Sequence, residues 1–206
     1  MIYVARHGET EWNREGRYQG QRESGLTPTG VAQARALAAA LAKERVTRVI
    51  ASPLARCVES ARPLADALGV ALETDPDLIE IAHGTWEGRL RAEVERDDPQ
   101  TMRLWREHPQ LVQFEGGESL HDVEHRWRAC MQRLGDADDV AIVTHDVIVR
   151  LAILGAMQRP LAQLWDAQVR NGAYARLRGG GSWELLDACV DAHLGELVVD
   201  TATQAL

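Results

Sequence analysis

Two histidines occupy the same local setting at opposite ends of the chain: His7 follows IYVAR and His145 follows VAIVT. A short β-prone apolar run that empties into polar residues reads as a buried strand ending in a loop. In an open α/β sheet, ligands gather at the carboxyl ends of strands. Taken singly, either histidine serves as well in packing or in capping a helix. Their neighbours add arginine. Arg6 precedes His7, and Arg56 falls in the first turn of an expected helix, in SPLAR. The helix dipole offers an arginine nothing at that end, so the position suits a side chain that shares a bound anion with the backbone; a solvated Arg56 paired with Glu59 is the plainer alternative. Imidazole beside guanidinium suggests phosphoryl chemistry. A ring nitrogen attacks phosphorus, arginines hold the oxygens, and a carboxylic acid protonates the leaving oxygen. Glu80, after Leu78-Ile79 at the start of a polar loop, is placed to reach inward as that acid or to make ordinary loop hydrogen bonds, whereas Glu87 after Trp86 has no such placement.

Other chemistries fit less well. No GxxxxGK[ST] loop is present. Arg62 follows Cys57 one position too early for a cysteine phosphatase loop, and Cys57 falls inside an expected helix. A metal held by His7, His83, His145, His193 and Glu80 would place Arg6 beside a cation, which is unfavourable, whereas Arg6 beside a phosphate is favourable. Asp146 is the best carboxylate for a metal site, but N-cap of a helix beginning at Val147 is its simpler role.

The elements that must position these groups alternate between strand and helix. After the first strand, Thr27 and Pro28 open a helix with Ala34, Leu37, Ala38 and Leu41 on its apolar face. Val46–Ala51 reads as a strand. Ser52-Pro53 is expected to cap a helix burying Leu54, Val58, Ala61, Ala65 and Leu68 and closed by Gly69. A weaker strand is expected over Val70–Glu73. Residues 90–113 are helical but broken at Pro99 and Pro109, which suggests an insertion of about 90–118 over one face of the sheet. Ser119 with Asp122 forms a capping box. Val140–Val143 is the clearest buried strand, Pro160–Trp165 a short helix, and Ala173–Leu177 and Trp183–Leu186 a strand pair joined through Gly179-Gly180-Gly181. Strand-helix alternation predicts right-handed βαβ crossovers in a single α/β domain over residues 1–206.

Composition limits the partners. The 206 residues are 45% hydrophobic, and 23 Lys and Arg against 31 Asp and Glu give a net charge of −8 with no basic block, which disfavours nucleic acid. Cys57, Cys130 and Cys189 form neither a disulfide framework nor a zinc motif, which suggests a reducing, cytoplasmic setting. No apolar run is long enough to span a membrane and no leader pattern opens the chain.

Six ordered segments carry a resemblance: RHGETEWN (6–13), LTPTGVAQA (26–34), SPLARCVESA (52–61), IEIAHGTWEG (79–88), GGESLHDVEHR (116–126) and VTHDVIVR (143–150). Together they are similar to the successive motifs of the histidine phosphatase superfamily, the phosphoglycerate-mutase-like proteins. The resemblance implies a three-layer α/β/α sandwich with a mostly parallel central sheet. It implies that His7 is the phosphorylated nucleophile, that Arg6, Arg56 and His145 bind phosphoryl oxygens, and that Glu80 donates the proton. Asn13 matches a pocket asparagine, and Gln19-Gly20 a loop that closes over the substrate. Neither metal nor other cofactor is implied. Asp146 departs from the family, which commonly has a small or uncharged residue there, and either caps its helix or meets a substrate ammonium. Cys57-Val58 departs as well, in a way expected to affect packing.

The superfamily's bisphosphoglycerate-dependent mutases are typically longer, so hydrolysis is expected over transfer. EIAHGTWEG, WREHPQLVQFEGGESL and AHLGEL further resemble the metal-independent phosphoserine phosphatases of the superfamily. That likeness implies L-phosphoserine as substrate, with His83 and the tail around His193 near it, and a homodimer. Glu80, Asp146 or Glu196 would then meet the ammonium; His193 as a plain turn residue is the alternative. α-Ribazole phosphate, a glycosyl phosphoglycerate, broad small-phosphomonoester hydrolysis, phosphoglycerate mutase and a non-catalytic phosphate-binding module are the competing readings.

Overall fold

The computed structural model describes residues 1–135, 138–179 and 183–205. The strands are β1 (Ile2–Arg6), β2 (Arg48–Ala51), β3 (Leu72–Thr74), β4 (Val140–Thr144), β5 (Tyr174–Arg178) and β6 (Glu184–Val190). They make one sheet in the order β3-β2-β4-β1-β5-β6. β1, β4, β2 and β3 are mutually parallel, and β5 and β6 continue the sheet antiparallel from β1. The helices are α1 (Glu11–Glu15), α2 (Pro28–Leu41), α3 (Ala55–Leu68), α4 (Arg91–Asp97), α5 (Pro99–Glu107), α6 (Leu120–Leu134) and α7 (Asp146–Ala156).

Side chains alternate along each strand, and both faces of the central strands are covered, which is why these strands read as nearly continuous apolar runs. Ile2, Val4, Ile50, Val140 and Ile142 enter one core with residues of α6 and α7. Tyr3, Ala5, Val49, Ala51, Ala141 and Val143 enter the other with residues of α2 and α3. The three-layer α/β/α expectation is met by a mixed six-stranded sheet between two helical layers.

Several local expectations change. Ser52 does not cap α3: Leu54 is the N-cap without a side-chain bond, and Ala55 N donates instead to Glu23 Oε1 at 2.9 Å. Freed from that task, Ser52 Oγ lies 2.8 Å from His145 Nε2. The buried face of α3 is Arg56, Cys57, Ser60, Ala61, Leu64 and Ala65, rotated from the apolar stripe expected, because its first turn faces a polar site rather than the core. RHGETEWN is not all loop. Thr10 caps α1 in a capping box with Asn13. The strand pair near the end of the chain is β5 and β6, with β6 running on to Val190; Gly180 and Gly181 of its expected connection lie outside the described residues.

The register of the sheet positions the histidines. Arg6 pairs with Thr144 across the parallel β1–β4 ladder, so the next residues, His7 and His145, leave the sheet side by side. His7 N donates to Thr144 O at 2.9 Å, and Ser52 N at the end of β2 to Val143 O at 3.0 Å. Three adjacent strands thus deliver their exits to one point, where the chain's strand order reverses.

Candidate active site

His7 and His145 meet edge to face, with ring centroids 5.3 Å apart. His7 Nδ1 is 2.7 Å from Gly8 O. A carbonyl can only accept, so Nδ1 carries the proton and the neutral ring keeps its lone pair on Nε2. Burial, then Arg56 and Arg6, hold the His7 pKa well below its ordinary value. His145 is fully buried behind His7, with Ser52 Oγ 2.8 Å and Cys57 Sγ 3.4 Å from its Nε2. Burial and then Arg56 depress its pKa as well.

Both arginines are buried, each 1% exposed. Arg6 Nη2 donates to Gln204 Oε1 at 2.6 Å, Nη1 lies 3.3 Å from Asp146 Oδ1, and Nε has no partner among the described residues. Arg56 donates through Nη1 to Arg22 O at 2.9 Å and through Nη2 to Gly20 O at 2.7 Å, again leaving Nε without a partner among the described residues. Among the described residues its nearest carboxylate is Glu23 at 3.9 Å, and the surface pairing with Glu59 is not formed. Buried guanidinium groups with unpaired N–H are suited to an anion. Ser60 joins Arg56 to the exit of β1: its hydroxyl accepts from Gly8 N at 3.0 Å and donates to Arg56 O at 2.7 Å.

Glu80 is also buried, and its Oε1 accepts from Ile81 N at 2.9 Å. Burial, followed by Asp146, pushes its pKa up to about 7 against the opposing pull of the Ile81 N–H, Arg56 and Arg6. Near neutrality this carboxyl therefore holds or gives up a proton easily.

Arg6, His7, Arg56 and Glu80 line a cavity of about 20 Å³, together with Asn13, Gln19, Gly20, His83 and Asp146. Asn13 Oδ1 accepts from Thr10 N at 3.2 Å and Asn171 Nδ2 at 3.3 Å. Gln19 Oε1 is buried without a partner among the described residues. His83 sits in an aromatic enclosure of Tyr18, Trp86, Trp105 and Phe114. Burial lowers its pKa to about 3, and neither ring nitrogen has a partner among the described residues.

Several expected positions turn out differently. His145, fully buried, is not among the residues that line the cavity. His193 does not line the cavity; its Nε2 lies 2.9 Å from Gly172 O, its ring packs on Tyr174, and it is half-buried. Asp146 is the first residue of α7, not its N-cap, which is His145. Its carboxylate accepts from Arg150 Nε at 2.5 Å, faces Arg6 and borders the cavity. Glu196 is exposed. Glu87 stays outside the cavity and ties loops together, accepting from Gln21 N and His83 N, each at 3.1 Å. Among the described residues no three His, Cys, Asp or Glu side chains are grouped to hold a metal ion.

Ser52, Ser60, Asn171 and Gln204 were missed in the sequence. Ser60 carries a readable signal, since it lies one helical turn after Arg56 on the same face. Gln204 and Asn171 carry none, because their partners are distant in sequence.

A sequence model of the histidine phosphatase superfamily (branch 1) matches residues 2–190. The chain is 32% identical over 203 residues to phosphoserine phosphatase 1 of Hydrogenobacter thermophilus, covering 97% of this chain and 96% of that one. It is 29% identical over 191 residues to the adenosylcobalamin/α-ribazole phosphatase of Salmonella typhimurium, covering 91% and 90%. Among solved structures, Bacillus stearothermophilus YhfR superimposes with a TM-score of 0.88 at 28% identity, covering 94% of this chain and 98% of that one.

Proposed function

The chain belongs to branch 1 of the histidine phosphatase superfamily and is a phosphoric monoester hydrolase, and from that premise we propose that it hydrolyses a small phosphomonoester through a phosphohistidine on His7. The observation that carries this reading is the neutral His7 ring beside His145, flanked by Arg6 and Arg56, with a protonatable Glu80 on the same cavity. His7 Nε2 attacks phosphorus while Arg6, Arg56 and His145 take the charge of the phosphoryl oxygens. Glu80 gives its proton to the departing alkoxide and, as carboxylate, draws one from the water that opens the phosphohistidine. Asn13 orients groups beside His7, Gln19 and Gly20 border the leaving group, and residues 90–118 act as a cap on a single domain.

L-phosphoserine is the preferred substrate in this reading, supported by the 32% identity to a phosphoserine phosphatase along nearly the whole chain. His83, whose unpartnered nitrogens line the cavity, would face its amino-acid portion. α-Ribazole phosphate is the second reading, supported by the relative of that name. The reaction needs no metal in this scheme, since two arginines supply the positive charge. The three free thiols suit a cytoplasmic setting, and no helix among the described residues is long and apolar enough to cross a membrane. A homodimer is the assembly proposed, to be checked by sedimentation velocity.

Incubation with labelled substrate in EDTA should give turnover and an acid-labile phosphoenzyme, and His7→Ala should abolish both; full activity in His7→Ala would overturn the reading. Comparing kcat/KM on L-phosphoserine, α-ribazole phosphate, glucosyl-3-phosphoglycerate and 3-phosphoglycerate identifies the substrate. Equal efficiency on L-phosphoserine and propyl phosphate would remove amino-acid specificity.

A further inference from the structure

Two side chains of GGESLHDVEHR have no part in the chemistry above, yet they hold the backbone on which Glu80 stands. Arg126, on α6, donates through Nη1 to Asp77 O at 2.9 Å and Ile79 O at 2.5 Å, and through Nη2 to Glu80 O at 3.1 Å. The same guanidinium forms a two-point pair with Glu118, Nε to Oε1 at 3.0 Å and Nη2 to Oε2 at 3.1 Å. Glu118 Oε2 also accepts from Ala82 N at 2.9 Å and from Gln21 Nε2 at 3.3 Å. Gln21 Nε2 returns to Glu80 O at 3.1 Å. The carbonyls of residues 79 and 80 and the N–H of residue 82 are therefore all tied to one ion pair.

That pair is 12% and 22% exposed at its two side chains, sheltered enough for a forked, charge-assisted contact to persist. The Glu80 carboxyl bonds to the N–H of its own neighbour, Ile81, so its aim into the cavity follows the aim of the loop. Gln21 adds a second consequence. Its backbone follows Gly20, whose carbonyl is a partner of Arg56, so the pair couples the loop of the acid to the loop at the phosphoryl pocket.

We propose that Glu118 and Arg126 are positioning residues for proton donation: their ion pair sets the distance from Glu80 to the leaving oxygen. The proposal rests on the reading of Glu80 as the acid. It differs from a purely structural tie in its dependence on substrate. An alkoxide departs only with a proton, whereas 4-nitrophenolate is a weak enough base to leave without one. A misplaced acid therefore slows alkyl phosphates and largely spares an aryl phosphate, while a loosened fold slows both.

The experiment measures kcat/KM of wild type, Glu118→Gln, Arg126→Lys and Glu80→Gln on the best alkyl phosphate of the substrate panel and on 4-nitrophenyl phosphate. Glu118→Gln is expected to lose about tenfold or more on the alkyl ester and about twofold or less on the aryl ester, a share of the larger selective loss in Glu80→Gln. Arg126→Lys, which keeps the charge and loses the fork, follows the same pattern and is the variant to read if Glu118→Gln does not fold. Equal losses on both esters, or none on either, would overturn the proposal. If Glu80→Gln itself loses both alike, the reading of the acid falls and the proposal with it. A selective Glu80→Gln beside unselective Glu118→Gln and Arg126→Lys removes the positioning role alone.

Discussion

Asp146 and Glu80 are two carboxyl groups on one small cavity with different partners. Asp146 faces two guanidinium groups, Arg6 and Arg150, while Glu80 has a backbone N–H for company and is raised to about 7 by burial and by Asp146 itself. The charged groups acting on Glu80 are Asp146 from α7, Arg56 from α3 and Arg6 from β1. The acid form of Glu80 prevails below about pH 7, so kcat/KM on an alkyl phosphate should fall as pH rises through that value. Asp146→Asn removes a raising influence while burial remains, so the falling limb should move to lower pH, with lower activity throughout because Arg6 loses its carboxylate. A pH–rate series on both proteins checks this; an unmoved limb would mean that Asp146 does not act on Glu80. The family's usual small residue after this histidine made Asp146 conspicuous in the sequence. Its role was not legible there, because Arg6 lies 140 positions away and its approach depends on the β1–β4 register.

At the scale of elements, the two histidines were legible because strand exits are a local signal, and their meeting followed once two parallel strands became neighbours. The helix starts were legible only where the cap is local. Thr27 and Ser119 cap their own helices, whereas α3 takes its cap from Glu23, on a loop that nothing in SPLAR announces. The exit of β1 also depends on how closely α2 approaches. A Cβ on Gly30 would stand 2.0 Å from Glu9 O, and one on Gly8 would stand 2.3 Å from Gly30 O, so this contact is backbone against backbone. Gly30→Ala gains helix propensity of about 1 kcal/mol, yet the clash must push α2 from β1. The variant is expected to lose about 2 kcal/mol or more of stability in urea unfolding and most of its activity. Stability equal to wild type would show that the helix can shift freely and that the spacing does not govern His7.

Across the whole molecule, a net charge of −8 coexists with a pocket in which two buried arginines stand beside neutral histidines. Overall charge argues about polyanions, and the local field argues about one phosphate. The remaining question is access. A cavity of about 20 Å³ has room for about one water molecule, so a phosphoryl group enters only if a wall moves. The wall without a precedent in the sequence reading is the segment around Gln204, whose Oε1 holds Arg6 at 2.6 Å and whose Nε2 donates to Asn171 at 2.8 Å. A carboxamide oxygen on Arg6 occupies a guanidinium face that a phosphoryl oxygen also seeks, so phosphate and Gln204 compete for one donor. Gln204→Ala should therefore bind inorganic phosphate several-fold more tightly as a competitive inhibitor. Without ligand it should unfold more easily, because a buried guanidinium loses a partner worth about 1–3 kcal/mol. Inhibition constants and thermal melts with and without phosphate separate the two effects. Weaker phosphate binding in Gln204→Ala would instead mean that the carboxamide stays on Arg6 and steadies it for the ligand, leaving Gln19 and Gly20 as the wall that yields.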